Sequence, residues 1–273
     1  MKLITLMATV LLLYSCSAYP STFMPENDLD KYDSLFGGNI TEDQFNKAID
    51  QVESVYQPII ANLGGNLVID RNWNDPTVNA YANREYGNVW KVAMFGGLAR
   101  RSEINYDGFI MVICHEVGHH IAGFPFVQDW ASSEGQSDYF AANVCAPKIW
   151  EDGGLGDEVY LPSTARGYCN RNYTEDFDRK VCYRTMAASK SISDLLGALN
   201  SERPVSFDTP SLVVVKKTMT SHPPAQCRLD TYMAGSVCSV GWADGVVPKN
   251  KRENDFYNCT MGEAARPRCW YAP

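Results

Sequence analysis

The sequence predicts an α+β fold, and three observations carry that prediction. Residues 41–63 and 105–123 each carry helix signals at both ends. Between them lie three short β-branched or aromatic runs divided by Asn, Asp, Pro and Gly, the pattern of a small sheet. After them the chain becomes rich in cysteine, which predicts a disulfide-rich C-terminal part.

The first helix opens at Thr41, which with Gln44 makes a capping box. Phe45, Ala48, Ile49, Val52, Val55, Tyr56, Ile59 and Ile60 recur at helical spacing until Gly64 and Gly65 end it, so it is a core helix. Strands are expected over residues 66–70, 78–82 and 89–95, and Gly96 and Gly97 break the last. Asn105 caps a second helix that Gly123 stops, and that helix is apolar nearly all round, as a buried helix must be. Further helices are expected from about residue 129 to 149 and 185 to 199, with a short one after Pro223 and Pro224. The rest of the cysteine-bearing part reads as irregular.

Met1 and Lys2 precede an apolar run from Ile4 to Tyr14, the layout of a secretory signal peptide. The run is too short to span a bilayer, which takes about 20 residues. It stops at Leu13-Tyr14-Ser15-Cys16, which resembles the lipobox of bacterial lipoproteins, whose cysteine becomes the acylated first residue. That resemblance implies a signal peptide over 1–15, a lipidated Cys16 with a tether over 16–40, and one domain over 41–273. Ser17 in place of Asp implies the outer membrane, facing the periplasm. The alternative is an ordinary signal peptide with an incidental cysteine. A net charge of −8 argues against nucleic acid as a partner.

Eight cysteines remain besides Cys16, an even number that fits disulfides in an oxidising compartment. The locally simplest pairs are Cys169 with Cys182, Cys227 with Cys238 and Cys259 with Cys269, although sequence alone leaves the connectivity open. No C-x-x-C pair occurs, which disfavours a cysteine-ligated metal.

The second helix carries His115-Glu116-Val117-Gly118-His119. Residues four apart share a helix face, so His115 and His119 can offer two imidazoles to one zinc ion. Glu116 then flanks the ion as general base, taking a proton from the attacking water and delivering it to the leaving amine. Chance occurrence is the competing reading, but two unpaired histidines in an apolar core would be costly. Metzincins need glycine and a third histidine further on, where this chain has Ala122 and Pro125. The next helix instead offers Glu134 and Asp138, again four apart. Glu134 is the expected third ligand, with Asp138 bonding the far nitrogen of a ligand histidine. Asp129 is the alternative ligand, and His120 reads as a packing or supporting residue.

With these residues the chain resembles the gluzincin peptidases, and among them the family of the CAAX prenyl proteases and the heat-shock membrane protease HtpX. Residues 78–82 are similar to the family's Asn-Ala-aromatic strand, Gly96-Gly97-Leu98 to its glycine-leucine turn, and Glu134 with Asp138 to its acidic pair. Ser221-His222-Pro223-Pro224, with Arg228 six residues after the histidine, is similar to its His-Pro segment. The resemblance implies a zincin-like domain with a small sheet beside the zinc helix. It also implies that His222 donates to the reaction's oxyanion and that Arg228 braces the carboxylates near the zinc. The prenyl-protease substrate is not implied, because no membrane-spanning segments intervene.

The expected function is a zinc-dependent endopeptidase of extracytoplasmic proteins, with 89–95 as an edge strand pairing with an extended substrate. The alternative is a non-catalytic zinc-containing envelope lipoprotein acting as a binding or assembly factor. Glu116 disfavours it, since a structural zinc needs no general base.

Overall fold

The computed structural model describes residues 21–32, 39–153, 160–199, 204–240 and 244–273. The expected signal peptide over 1–15 and Cys16 lie outside the described residues. The first helix, α1 (Glu42–Asn62), starts where its capping box predicts: Thr41 accepts from the Gln44 amide at 3.3 Å while the Gln44 side chain accepts from the Thr41 amide at 2.9 Å. It buries Phe45, Ile49, Val52, Tyr56 and Ile60. Gly64, at φ +82°, then turns the chain into the sheet.

Four strands form a mixed sheet: β1 (Ser21–Thr22), β2 (Asn66–Asn72), β3 (Ala80–Glu85) and β4 (Val89–Phe95), in the order β1-β3-β4-β2. The α+β class holds. The edge assignment does not, because β4 lies inside the sheet, parallel to β2 and antiparallel to β3. Burial explains the exchange. β4 buries Trp90, Val92, Ala93 and Met94 between two partner strands, whereas β2 ends in Asp70, Arg71 and Asn72, which suit an edge.

β1 takes the outer side of β3, and this overturns the expected tether at residues 21–24. Ser21, Phe23 and Met24 are buried. An apolar Phe-Met pair beside an unpaired strand edge gains more by docking than by staying in solvent.

A single turn, α2 (Gly96–Ala99), leads to α3 (Tyr106–Ile121), the helix of the histidine motif. Asn105 caps it, its side chain accepting from the Gly108 amide at 2.8 Å, and every residue from Gly108 to Ile121 is buried. α3 contacts α1, β3 and the helices that follow. The helix expected over 129–149 is α4 (Glu134–Phe140) and α5 (Ala146–Gly153), joined by a π-helical turn at Ala141–Cys145. It begins late because the backbone ahead of it is engaged elsewhere, Ser132 donating its amide to the His119 carbonyl at 2.9 Å.

α6 (Ser163–Asn172) is a helix where irregular chain is expected. It is polar and lacks an apolar stripe, and Cys169 ties it to Cys182 on α7 (Asp176–Ala198). α7 starts well before residue 185, its first turn supported by a Lys180–Asp176 ion pair at 2.7 Å. α8 (Ala225–Ser236) follows the two prolines as expected.

Cys169–Cys182 is one of the expected disulfides; the other two are not formed. Cys227 pairs with Cys269, Cys238 with Cys259 and Cys114 with Cys145. The chain end runs back along the segment before α8, with the Val215 amide bonded to the Arg268 carbonyl at 2.9 Å and Met219 to Trp270 at 2.8 Å. That return lays Cys269 against Cys227. Among the described residues no helix is long and apolar enough to cross a membrane.

Candidate metal centre

Two helices build the centre. α3 presents His115 and His119 one turn apart, their rings perpendicular with centroids 4.7 Å apart. α4 comes close enough to reach them because Gly118 has no side chain: a Cβ there would stand 3.1 Å from the Phe140 ring and 3.2 Å from the Ser137 Cα. From the first turn of α4, Glu134 places Oε2 3.3 Å from His115 Nε2 and Oε1 3.6 Å from His119 Nε2.

Each imidazole is held from behind. His115 Nδ1 lies 2.7 Å from Asp138 Oδ1 and His119 Nδ1 2.8 Å from the Ser132 carbonyl, so in each ring Nδ1 donates and Nε2 faces Glu134. Asp138 is itself gripped by Arg228, Nε to Oδ2 and Nη2 to Oδ1, both at 2.7 Å, and accepts from the Tyr232 hydroxyl. This orients ligands before any ion arrives.

The donor set fits a metal ion. One atom from each of His115, His119 and Glu134 lies within 4.8 Å of the others, all three residues buried. Among the described residues, the two Nε2 atoms and Glu134 Oε2 have no hydrogen-bond partner. Buried polar atoms are rarely left so, and one shared cation could satisfy all three. Two imidazole nitrogens with one carboxylate and an open fourth position suit zinc.

The two carboxylates of the cluster are held in their ionised form. Burial opposes charge on His115, but the Asp138 and Glu134 carboxylates outweigh it and raise the ring to about 9. Burial also works against ionising Glu134, and the two histidines overcome it, lowering the acid to about 2. Asp138 is likewise held below its ordinary range, Arg228 and His115 outweighing its burial. Carboxylates kept ionised here favour positive charge at the imidazoles. Burial drives His119 down to about 4, so its nitrogen stays available as a donor.

Glu116 is fully buried beside this group, with no hydrogen-bond partner for either oxygen among the described residues, and burial pushes its carboxyl up to about 8. The chain shows no match to any family model, to any curated protein or to any solved structure. The centre is therefore read from its own geometry.

Every residue singled out by sequence except Asp129 and His120 gathers around this point. His222 Nε2 stands 3.6 Å from Glu134 Oε2, on the loop before α8, and 2.6 Å from the Thr22 carbonyl. Asp129 is exposed on the loop before α4 and stays outside the cluster. His120 faces away, stacked between Trp90 and Trp130 with Nε2 3.1 Å from the Lys91 carbonyl, so it packs the sheet against α3. Sequence reasoning misses Tyr232, which lies one turn beyond Arg228 on the same face, a spacing that could have found it. It also misses the Ser132 carbonyl, a backbone group for which no residue type gives a signal.

Proposed function

We propose that the protein is a zinc-dependent endopeptidase of extracytoplasmic proteins, a gluzincin with a zincin-like domain related to the CAAX prenyl protease family, held to the envelope by a lipid on Cys16. The observation that carries the reading is Glu116. A structural metal site needs ligands only, yet here an unpartnered, buried carboxylic acid flanks the three donor atoms.

Bound zinc would supply a Lewis acid that makes water nucleophilic near neutral pH and polarises a carbonyl. The residues of the chain do the rest. His115, His119 and Glu134 hold the ion, and Asp138 and the Ser132 carbonyl fix the two rings. With the positive charge of a bound ion offsetting the burial that keeps it protonated, Glu116 would ionise, accept the proton of the attacking water and return it to the departing amine. His222 donates a hydrogen bond to the oxyanion as charge develops. The four disulfides among the described residues fit an oxidising compartment.

Hydrolysis of casein or a labelled peptide, with and without chelator, tests the proposal. Glu116→Gln should keep fold and zinc and lose turnover, because the amide cannot accept the proton. Parental turnover in that variant would refute the mechanism.

A further inference from the structure

The segment that carries β1 does more than extend the sheet. Ser21 and Thr22 pair antiparallel with Ala82 and Tyr81 of β3. The Phe23 amide continues the ladder to the Ala80 carbonyl at 3.0 Å. Asn79 closes it, accepting from the Met24 amide and donating to the Met24 carbonyl, both at 3.0 Å. An extended peptide joins an open sheet edge in this way, main chain to main chain.

The same residues turn their polar atoms to the metal cluster. The Ser21 hydroxyl donates to Glu134 Oε1 at 3.2 Å. His222 Nε2 reaches the Thr22 carbonyl at 2.6 Å, and Arg228 Nη1 donates to the Phe23 carbonyl at 2.6 Å. The Phe23 ring is wholly buried, edge-on to His115 at 5.2 Å and under the Arg228 guanidinium at 4.7 Å. A segment that only filled a gap in the core would need its phenyl ring there. It would not need successive carbonyls on the proposed oxyanion donor and on the arginine behind the ligands.

We infer that residues 21–24 are a built-in peptide ligand of this site, seated as a substrate would be with the Thr22–Phe23 bond at the reacting position. The site accordingly takes extended peptides bearing an aromatic side chain directly after the carbonyl that His222 holds. The phrase "reacting position" rests on the proposed peptidase activity; the binding of the peptide does not. A tethered occupant acts at an effective concentration on the order of millimolar, so an incoming peptide must displace it. The chain thereby restrains its own site.

The full-length chain carrying Glu116→Gln and loaded with zinc allows binding to be read without turnover. The probe is a fluorescein-labelled peptide copying Tyr19 to Pro25, followed by anisotropy. Adding Phe23→Ala to this chain removes the anchor from the segment and leaves the groove intact, so the probe should bind at least about tenfold tighter. The probe with alanine at the Phe23 position should bind at least about tenfold more weakly. Equal affinity in the two chains, or indifference to the phenyl ring, overturns the inference.

If Phe23→Ala does not fold, hydrogen exchange on the Glu116→Gln chain decides. Saturating probe should accelerate exchange at the Phe23 amide, and unchanged exchange overturns the inference. Competition for the groove with no hydrolysis by the Glu116-bearing chain would support this inference and count against the peptidase activity alone. Zinc-dependent hydrolysis that Phe23→Ala leaves unaltered would do the reverse.

Discussion

Arg228 and Asp138 form a doubly hydrogen-bonded ion pair from which solvent is excluded, and through Asp138 the pair reaches His115. α8 is thus coupled to a histidine on α3 by way of α4. Arg228→Ala leaves the Asp138 carboxylate buried with its main counter-charge gone, a loss of roughly 3–5 kcal/mol. Zinc affinity should fall about 10- to 100-fold, because His115 loses its support. Denaturant titration and zinc titration against a competing chelator measure the two effects. A folded variant with parental zinc affinity would limit Arg228 to a packing role.

Among the described residues, Glu134 is the only carboxylate whose oxygens reach both imidazole Nε2 atoms. Elemental analysis should find about one zinc per chain, and Glu134→Ala should lose it. Zinc at a hundred times its dissociation constant should add about 2.7 kcal/mol to the parent's stability and almost nothing to the variant's. Full zinc content in Glu134→Ala would move the third ligand elsewhere, against the exposure of Asp129 and the engagement of Asp138 with Arg228.

His222 already holds a carbonyl oxygen, that of Thr22, at 2.6 Å. A donor that acts mainly in the transition state lowers kcat and kcat/KM together when removed. His222→Ala should cost about 100- to 1,000-fold in both, with KM and zinc content nearly unchanged. Turnover close to normal would make it a surface histidine beside two prolines.

Cys227 lies next to Arg228 and is bonded to Cys269 across a sequence separation of 42. Replacing both with serine should remove about 4 kcal/mol, the chain entropy of closing such a loop. Differential denaturation of the oxidised parent and the double variant checks this. Equal stability would mean that the backbone bonds from residues 215 and 219 to the chain end suffice by themselves.

Cys16→Ala should shift the protein from the membrane fraction to the soluble fraction, since lipid is the only proposed anchor. An unchanged distribution on fractionation would remove the lipobox from the account.

Local chemistry made much of this legible. Thr41 with Gln44 and Asn105 fix helix starts through bonds made within four residues, so α1 and α3 can be read directly. His115 with His119, and Glu134 with Asp138, share faces by helical spacing alone. What stayed hidden depends on distant partners. β1 has two residues and exists because β3 leaves an edge open. Cys227 finds Cys269 because the chain end doubles back. β4 lies inside the sheet and β2 at its edge because β4 has the more apolar side chains to bury, a comparison that no single strand reveals.

The docking of β1 also sets a distance. With Cys16 anchored as proposed, five residues lead from the lipid to Ser21, and a chain that short extends at most about 18 Å. While residues 21–24 stay in the groove, the metal centre is leashed close to the bilayer, within range of the membrane-proximal parts of its neighbours. Once they leave it, the leash runs on to Asn27, whose side chain donates to the Val78 carbonyl at 3.1 Å, and its reach grows to about 40 Å. Opening the site and freeing it to search further from the membrane would then be one event.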